Sequence, residues 1–286
     1  MSAEEGKGEG SNNIGCLVSR QCQGVLRVVR NGQRSVATQV YATSPLRLLT
    51  PANHGHAAWV FASSFGGGLV DGDRLEMQIR VDEGAAAYLS TQASTKVYKS
   101  RRGTASQLAA SIAPEALLVV SPDPVVCFAD ARYTQVQEYD VASSGALIVL
   151  DWFTSGRHQS GERWAFAHYE SRLIIRVDGR ELVHDAIALR AADGDMSQRL
   201  GRFDVIATLA MVGSGVAAEA SAVAARADGG APVSRARQLA SATLLPGGGC
   251  VVRIAGTSLE SVTATIRDLL SFLPDRLGDS PWQRKW

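Results

Sequence analysis

The clearest alternation of apolar and polar residues lies between positions 73 and 82. Every second residue is apolar, and charged or amide residues fill the positions between them. Such a period directs one face of an extended segment to a core and the other face to water. The pattern predicts a half-buried strand, whose apolar members are Leu75, Met77, Ile79 and Val81.

Similar short runs, bounded by turn residues, recur along most of the chain. They predict further strands at residues 22–30, 35–43, 85–91, 116–120, 125–128, 133–141, 146–153, 173–177, 180–184, 240–245 and 250–255. The dipeptides Asn31-Gly32 and Asp178-Gly179 favour two-residue hairpin turns. The first two thirds of the chain are therefore expected to be built of short strands.

The hydrophobic period changes only in the last third. Residues 216–226 are rich in alanine and compatible with a helix, and residues 258–272 place their apolar side chains on one helical face. Ser258 is suited to the N-cap, and Pro274 ends the segment. We expect a mainly β fold with about two helices near the C-terminus, in a single domain of residues 20–286 after a flexible tail of residues 1–19.

Composition excludes several classes of protein. The chain has 286 residues, 45% of them hydrophobic, and a formal net charge of +1, so disorder is not expected and no global field attracts nucleic acid or an anionic membrane. Four scattered cysteines form neither a zinc motif nor a dense disulfide framework. The first residues lack the apolar segment of a signal peptide. We expect a cytoplasmic protein without a nucleic-acid or membrane partner.

Four glycines, at positions 66, 67, 68 and 72, form a loop that resembles a phosphate cradle at first sight. A P-loop requires a following Gly-Lys-Ser or Gly-Lys-Thr, and a dinucleotide site requires a helix after the glycines. Here the loop leads into the strand at residues 73–82, and the chain has no Gly-x-Ser-x-Gly nucleophile elbow. We interpret residues 66–73 as a structural corner.

Residues 151–164 bring Asp151 and Glu162 near two arginines, Arg157 and Arg163. Two carboxylates joined by a loop are compatible with an acid and base pair for glycoside hydrolysis. The same charges are compatible with simple ion pairs to the arginines, or with weak binding of a divalent cation in transit. The residues alone do not rank these alternatives.

Two long motifs then carry a resemblance to a known family. The first is Ser63-Ser64-x-Gly66-Gly67-Gly68-Leu69-Val70-x-Gly72-Asp73, and the second is Leu89-x-Thr91-Gln92-Ala93-x-Thr95-Lys96-Val97-Tyr98. Shorter features follow in order: Pro122-x-Pro124, Ala131-Arg132-Tyr133-x-Gln135, Gly156-Arg157, Gly161-Glu162-Arg163-Trp164, Phe203-Asp204, Ala207-Thr208, Leu245-Pro246-Gly247-Gly248-Gly249 and Val252-Arg253. Over roughly residues 22–286 the chain resembles the UreD family of urease accessory proteins, called UreH in some bacteria.

The resemblance implies a β-helical, solenoid-like fold and a scaffold that is not itself an enzyme. It implies three partners: a UreF-type helical accessory protein, a UreG-type GTPase that uses GTP, and apo-urease. It also implies that nickel passes through a polar tunnel in the scaffold, so Ni²⁺ is expected in transit and no cofactor is expected to be bound tightly. The alternative remains a β-rich hydrolase that uses Asp151 and Glu162 as its acid and base.

A route for nickel should use carboxylates, carbonyls and water, because thiolates and clustered imidazoles hold the ion strongly. The carboxylates nearest the motifs are the candidates, with Glu162 as the leading one: Glu162, Asp151, Asp130, Asp73 and Asp71. Near the C-terminus, Trp282 and Trp286 stand beside Arg284 and Lys285. Aromatic and basic residues of this kind are enriched at interfaces, so we expect these two tryptophans to contact a partner.

Overall fold

Two β-sheets packed face to face account for most of the structure, a computed structural model that describes residues 23–228 and 235–283. The first sheet has seven strands. In spatial order they are β14 (Arg180–Arg190), β13 (His168–Val177), β11 (Arg132–Val141), β8 (Thr104–Ile112), β5 (Arg74–Val81), β1 (Gly24–Asn31) and β2 (Arg34–Ala42).

The second sheet has ten strands, eight of them in one continuous path. In spatial order these are β16 (Gln238–Leu244), β17 (Gly249–Gly256), β15 (Val205–Val212), β12 (Ala146–Thr154), β9 (Leu117–Val120), β6 (Ala86–Thr91), β4 (Ala58–Ser64) and β3 (Leu46–Leu49). Two short strands, β7 (Thr95–Val97) and β10 (Val125–Cys127), pair with each other in parallel, and β10 also pairs with β12.

The chain winds through the two sheets as a solenoid. β4, β6, β9 and β12 are parallel neighbours in the second sheet, and each leads to one of the parallel neighbours β5, β8, β11 and β13 in the first sheet. The return turns at residues 82–85, 113–116 and 142–145 are short. The outward loops at residues 65–73, 92–103, 121–131 and 155–167 are long and all lie at the same end of the sandwich. The solenoid-like, mainly β fold is confirmed.

Four helices lie in the described residues, and the two longer ones match the predicted positions. They are α1 (Met196–Leu200), α2 (Ala217–Ala227), α3 (Leu259–Leu269) and α4 (Leu273–Leu277). The side chain of Ser258 caps α3 by accepting a hydrogen bond from the Ser261 backbone at 3.2 Å. α2, α3 and α4 bury their apolar faces on the outer face of the second sheet. Among residues 23–228 and 235–283, no helix combines the length and apolar character needed to span a membrane.

The sequence pattern was wrong or silent at several places, and it predicted no strand at β3, β4 or β7 and no helix at α1 or α4. The first hairpin turn consists of Gly32 and Gln33, one residue later than predicted, because Asn31 still pairs with Arg34. β8 was missed because its alanines and serines blur the alternation. β15 was also missed; it is a central strand buried on both faces, which explains why its residues are apolar almost throughout and show no alternation.

Candidate functional site

The long loops gather the motif residues at one end of the sandwich, where several of them hold the loops together. Across neighbouring loops, the Leu69 backbone N–H donates to the Lys96 carbonyl at 2.8 Å, and the Tyr98 backbone N–H donates to the Leu69 carbonyl at 2.9 Å. The hydroxyl of Thr91 accepts a hydrogen bond from the Asp123 backbone at 2.7 Å. Gly68 lies so close to Tyr98 and Lys96 that a Cβ atom at this position would be 2.8 Å from the Lys96 carbonyl oxygen. The absence of a side chain at Gly68 therefore lets these loops pack closely, which explains this glycine of the motif.

The motif residues Arg157 and Glu162 form an ion pair on the outside of the fourth long loop. Arg157 Nε donates to Glu162 Oε2 at 2.9 Å, and the Ala129 backbone donates to the same oxygen at 3.1 Å. The guanidinium also lies 4.2 Å from the centroid of the Phe128 ring, and Phe128 contacts Tyr98 edge to face. Hydrogen bonds from Arg157 lower the pKa of Glu162. The negative charge of Glu162 is therefore compensated by Arg157, and the residue holds the loop through these contacts.

Gly156 permits the tight path of this loop. Its φ of +109° lies in the region that favours glycine, and a Cβ atom would stand 2.7 Å from the Glu162 carbonyl oxygen and 2.8 Å from that of Cys127. Trp164 then turns the chain inward at φ 55°, with its indole buried. The loop is anchored on both sides of the ion pair.

Three other candidate carboxylates also have local partners. Asp73 accepts a hydrogen bond from the Val70 backbone at 2.8 Å, and Asp130 pairs with Lys99 at 2.7 Å. Asp71 accepts from the Arg102 backbone at 2.7 Å. Although desolvation acts in the opposite direction, hydrogen bonds and charge from Arg102 lower the pKa of Asp71. These three residues stabilise turns and loops.

Asp151 lies in a different environment, between the two sheets. It is the one charged residue of strand β12, and it lines a cavity of about 200 Å³. Gln135 Nε2 donates to Asp151 Oδ1 at 2.6 Å, and Ser171 Oγ donates to Oδ2 at 2.5 Å. Burial raises the pKa of Asp151, and the negative charge of Asp185 raises it further, against the hydrogen bonds from Ser171 and Gln135.

Strand register extends this site into two facing rows. On the second sheet Asp151 pairs with Thr208, and Thr208 pairs with Arg253, so the three residues lie side by side on β12, β15 and β17. On the first sheet the row is Ser106, Gln135 and Ser171 on β8, β11 and β13. We call the two rows, with Asp185 and the hydroxyl of Tyr133, the polar layer.

The polar layer consists of two hydrogen-bonded groups of side chains, which the pairing of Asp151 with Thr208 brings side by side. Ser106 Oγ lies 2.7 Å from the Tyr133 hydroxyl, which donates to Gln135 Oε1 at 3.2 Å. At the other end, Thr208 Oγ1 donates to Asp185 Oδ2 at 3.1 Å, and Arg253 Nη2 donates to Asp185 Oδ1 at 2.8 Å. An apolar cluster that includes Leu147 and Leu173 lies on one side of the layer, and an aromatic cluster that includes Phe153 and Tyr169 lies on the other.

The cavity continues the polar layer toward the long loops. Its lining reaches the glycine loop at Gly67 and the motif residue Thr91, and it contains many hydroxyl side chains. These hydroxyl residues are Ser63, Ser64, Ser90, Thr91, Ser94, Thr95, Ser106 and Tyr133. Asp123 and Asp151 are the two carboxylates in the lining. Most of the surface of the cavity is apolar, and its polar side chains are mainly hydroxyl, carboxylate and amide groups. No cluster of three or more His, Cys, Asp or Glu side chains suited to a metal occurs within residues 23–228 and 235–283.

The structure therefore separates the predicted site residues. Of the five candidate carboxylates only Asp151 belongs to the polar layer, and Glu162 lies outside the cavity lining, so the pair proposed for a hydrolase shares no pocket there. Trp282 is half-buried against the helical core, with the Arg267 guanidinium 5.8 Å from its ring centroid. Trp286 lies outside the described residues.

Sequence reasoning missed the other members of the polar layer. Gln135, Thr208 and Arg253 fell inside quoted motifs but were not assigned a role, and Ser171 and Asp185 were not noticed. The available signal was a polar residue at an inward position of a strand: Gln135 lies between buried Tyr133 and Tyr139, and Ser171 between buried Tyr169 and Leu173.

The raised pKa of Asp151 predicts that the stability of the fold depends on pH. Because its pKa in the folded state is raised, its contribution to stability is present below the unfolded pKa and is lost as pH rises through the folded pKa. Asp151→Asn removes the titrating carboxyl group, so the variant does not lose this contribution to stability as pH rises. In chelator-treated buffer, the melting temperature of the variant relative to the parent should rise as pH increases above the ordinary pKa of an aspartate. A difference that stays constant or falls with pH would contradict the raised pKa.

Comparisons with known proteins agree with the loop motifs. The family model described as UreD urease accessory protein matches residues 22–286. A urease accessory protein UreD from Sorangium cellulosum is 49% identical over 263 residues, which cover 92% of this chain and 84% of the relative. Urease accessory protein D from Arabidopsis thaliana is 33% identical over 290 residues, covering 91% of this chain and 99% of the relative.

A third relative extends the same likeness. A urease accessory protein UreD from Anaeromyxobacter is 38% identical over 263 residues, covering 91% of this chain and 88% of the relative. The solenoid and its motif-bearing loops thus define an accessory protein of urease. Within that class, the chain belongs to the UreD family.

Proposed function

We propose that this chain assembles with a UreF-type helical protein and a UreG-type GTPase on apo-urease, and that Ni²⁺ crosses it along the polar layer. Membership of the UreD family supports work with urease and other accessory proteins. The observation that carries the finer proposal is the polar layer within an otherwise apolar sandwich, with the carboxylate of Asp151 where its two hydrogen-bonded groups lie side by side.

The chemistry of the polar layer suits passage better than storage. Ni²⁺ binds thiolates and clustered imidazoles strongly, whereas carboxylate, hydroxyl and amide oxygens hold it weakly enough to release it. Cys127 does not line the cavity, and burial raises the pKa of its thiol, so it stays protonated. Asp151 accepts hydrogen bonds only from neutral groups, Gln135 and Ser171. A cation passing between the sheets would compensate the charge of this carboxylate.

Glu162, the leading candidate from the sequence, has a different place in this proposal. Its charge is already compensated by Arg157, and its contacts fix the fourth long loop. We therefore assign the central role in the route to Asp151 and a supporting role to Glu162.

The proposal is tested by co-expressing urease with the UreF-type and UreG-type proteins at limiting nickel, with and without this chain. Nickel content per urease and urease activity are both measured. Both should rise when the chain is present, because the route into apo-urease is then complete. Equal nickel content in the two cultures would refute the proposal.

A further inference from the structure

One ion pair joins the two sheets where the polar layer reaches the side of the sandwich. Asp185 lies on β14, the edge strand of the first sheet, and Arg253 lies on β17, next to the edge strand of the second. Their side chains meet at 2.8 Å. The side chain of Arg253 is 56% exposed and that of Asp185 only 15% exposed. The guanidinium therefore stands between Asp185 and the solvent.

The same pair is connected to the interior of the polar layer. Asp185 also accepts a hydrogen bond from Thr208, whose strand neighbour on one side is Asp151 and on the other side is Arg253. The charge of Asp185 acts on Asp151, so the two carboxylates lie within electrostatic range. A cation at Asp151 would meet Asp185 next, and Arg253 after it.

We propose that Arg253 is a gate: its guanidinium closes this end of the polar layer, and a divalent cation passes only by taking over Asp185 from it. This inference rests on the proposed function. The guanidinium of Arg253 carries a positive charge, so while it holds Asp185 it repels a second cation. Because the Arg253 side of the pair is exposed, water and salt screen the interaction there and lower the cost of moving the guanidinium away from Asp185. When a cation displaces Arg253 from Asp185, this side of the sandwich opens and the cation can leave.

A cysteine reporter tests the gate without any assay of nickel. Thr208 is 3% exposed and contacts Asp185, so the thiol of Thr208→Cys would lie just behind Arg253. The full-length chain also carries Cys16→Ser and Cys22→Ser, while Cys127 and Cys250 are buried and unreactive. The rate of labelling by a positively charged methanethiosulfonate reagent is measured. Adding Arg253→Gln should speed labelling by roughly tenfold or more, because access opens and a repelling charge is lost.

Two variants control for structural effects. Arg253→Lys keeps the positive charge and should keep labelling slow. Arg172→Gln removes an arginine whose side chain is similarly exposed, at 55%. Arg172 pairs with Glu170 at a distance of 2.7 Å, and this pair does not belong to the polar layer, so the variant should not change the labelling rate. If Arg253→Gln does not fold, as judged by its melting curve, Arg253→Met also removes the charge while keeping a long side chain and should speed labelling as well. A rate that neither variant changes would overturn the gate.

Failure of the gate and failure of the nickel route can be told apart. If labelling accelerates but Asp151→Asn leaves nickel insertion intact, the gate stands and the route is wrong. If Asp151→Asn blocks nickel insertion but labelling is unchanged by Arg253→Gln, the route stands and the gate is wrong.

Discussion

Asp151→Asn should lower nickel incorporation into urease by roughly tenfold at limiting nickel, the effect of losing about 1.4 kcal/mol of interaction with the passing cation. Asparagine has nearly the same size as aspartate but carries no charge. Its amide nitrogen would also face one of the two donors, Gln135 or Ser171, that now point at the carboxylate. The measurement is nickel per urease after co-expression, with urease activity as the second readout.

A matched control separates the charge of Asp151 from the mere loss of a carboxylate. Asp140 lies on strand β11 of the first sheet, and its side chain is 63% exposed on the outer face of that sheet. Asp140→Asn should leave nickel incorporation unchanged. Equal incorporation with Asp151→Asn and with the unchanged chain, at equal amounts of soluble protein, would remove Asp151 from the route.

Trp164→Ala should lower the free energy of unfolding by about 3–5 kcal/mol, a large part of the 5–15 kcal/mol that holds a typical domain folded. The indole is 4% exposed and donates from Nε1 to the Phe203 carbonyl at 3.1 Å. Its ring centroid lies 6.1 Å from Phe153 and 5.9 Å from Phe166. A tryptophan held at positive φ costs backbone energy, so packing must compensate for that strain.

The loss is measured by urea unfolding of the full-length chain. Trp164→Phe keeps an aromatic ring and loses the indole donor, so its loss should be smaller, about 1–3 kcal/mol. Trp282→Ala is the matched control, because Trp282 is only half-buried and should cost clearly less than Trp164. Equal losses at the two tryptophans would show that the aromatic cluster does not anchor the fourth long loop.

Local pattern predicted the strands better than the site. The alternation at residues 73–82 and the Asp178-Gly179 turn depend on neighbours in sequence, and both match β5 and the β13–β14 hairpin. The polar layer depends instead on the register of strands far apart in the chain. Asp185 and Arg253 are 68 residues apart, and nothing in their local sequences shows that they meet.

The ranking of the carboxylates shows the same limit. Glu162 attracted attention because it stands in a charged, glycine-rich loop, but its partner Arg157 is only five residues away. That local pairing was one of the alternatives left open by the sequence. Asp151 interrupts the apolar strand β12, and a lone charge in a buried strand was the stronger signal.

The winding of the chain also sets a length scale for the polar layer. Rows that run across paired strands, parallel or antiparallel, advance by one strand spacing, about 4.8 Å, at each step. From Thr91 on β6 through β9, β12 and β15 to Arg253 on β17 there are four such steps, or about 19 Å. Adding or removing one coil of the solenoid would change this distance by one step without altering any other strand. The number of coils thus sets the distance between Thr91 at the cavity and Arg253 at the side of the sandwich.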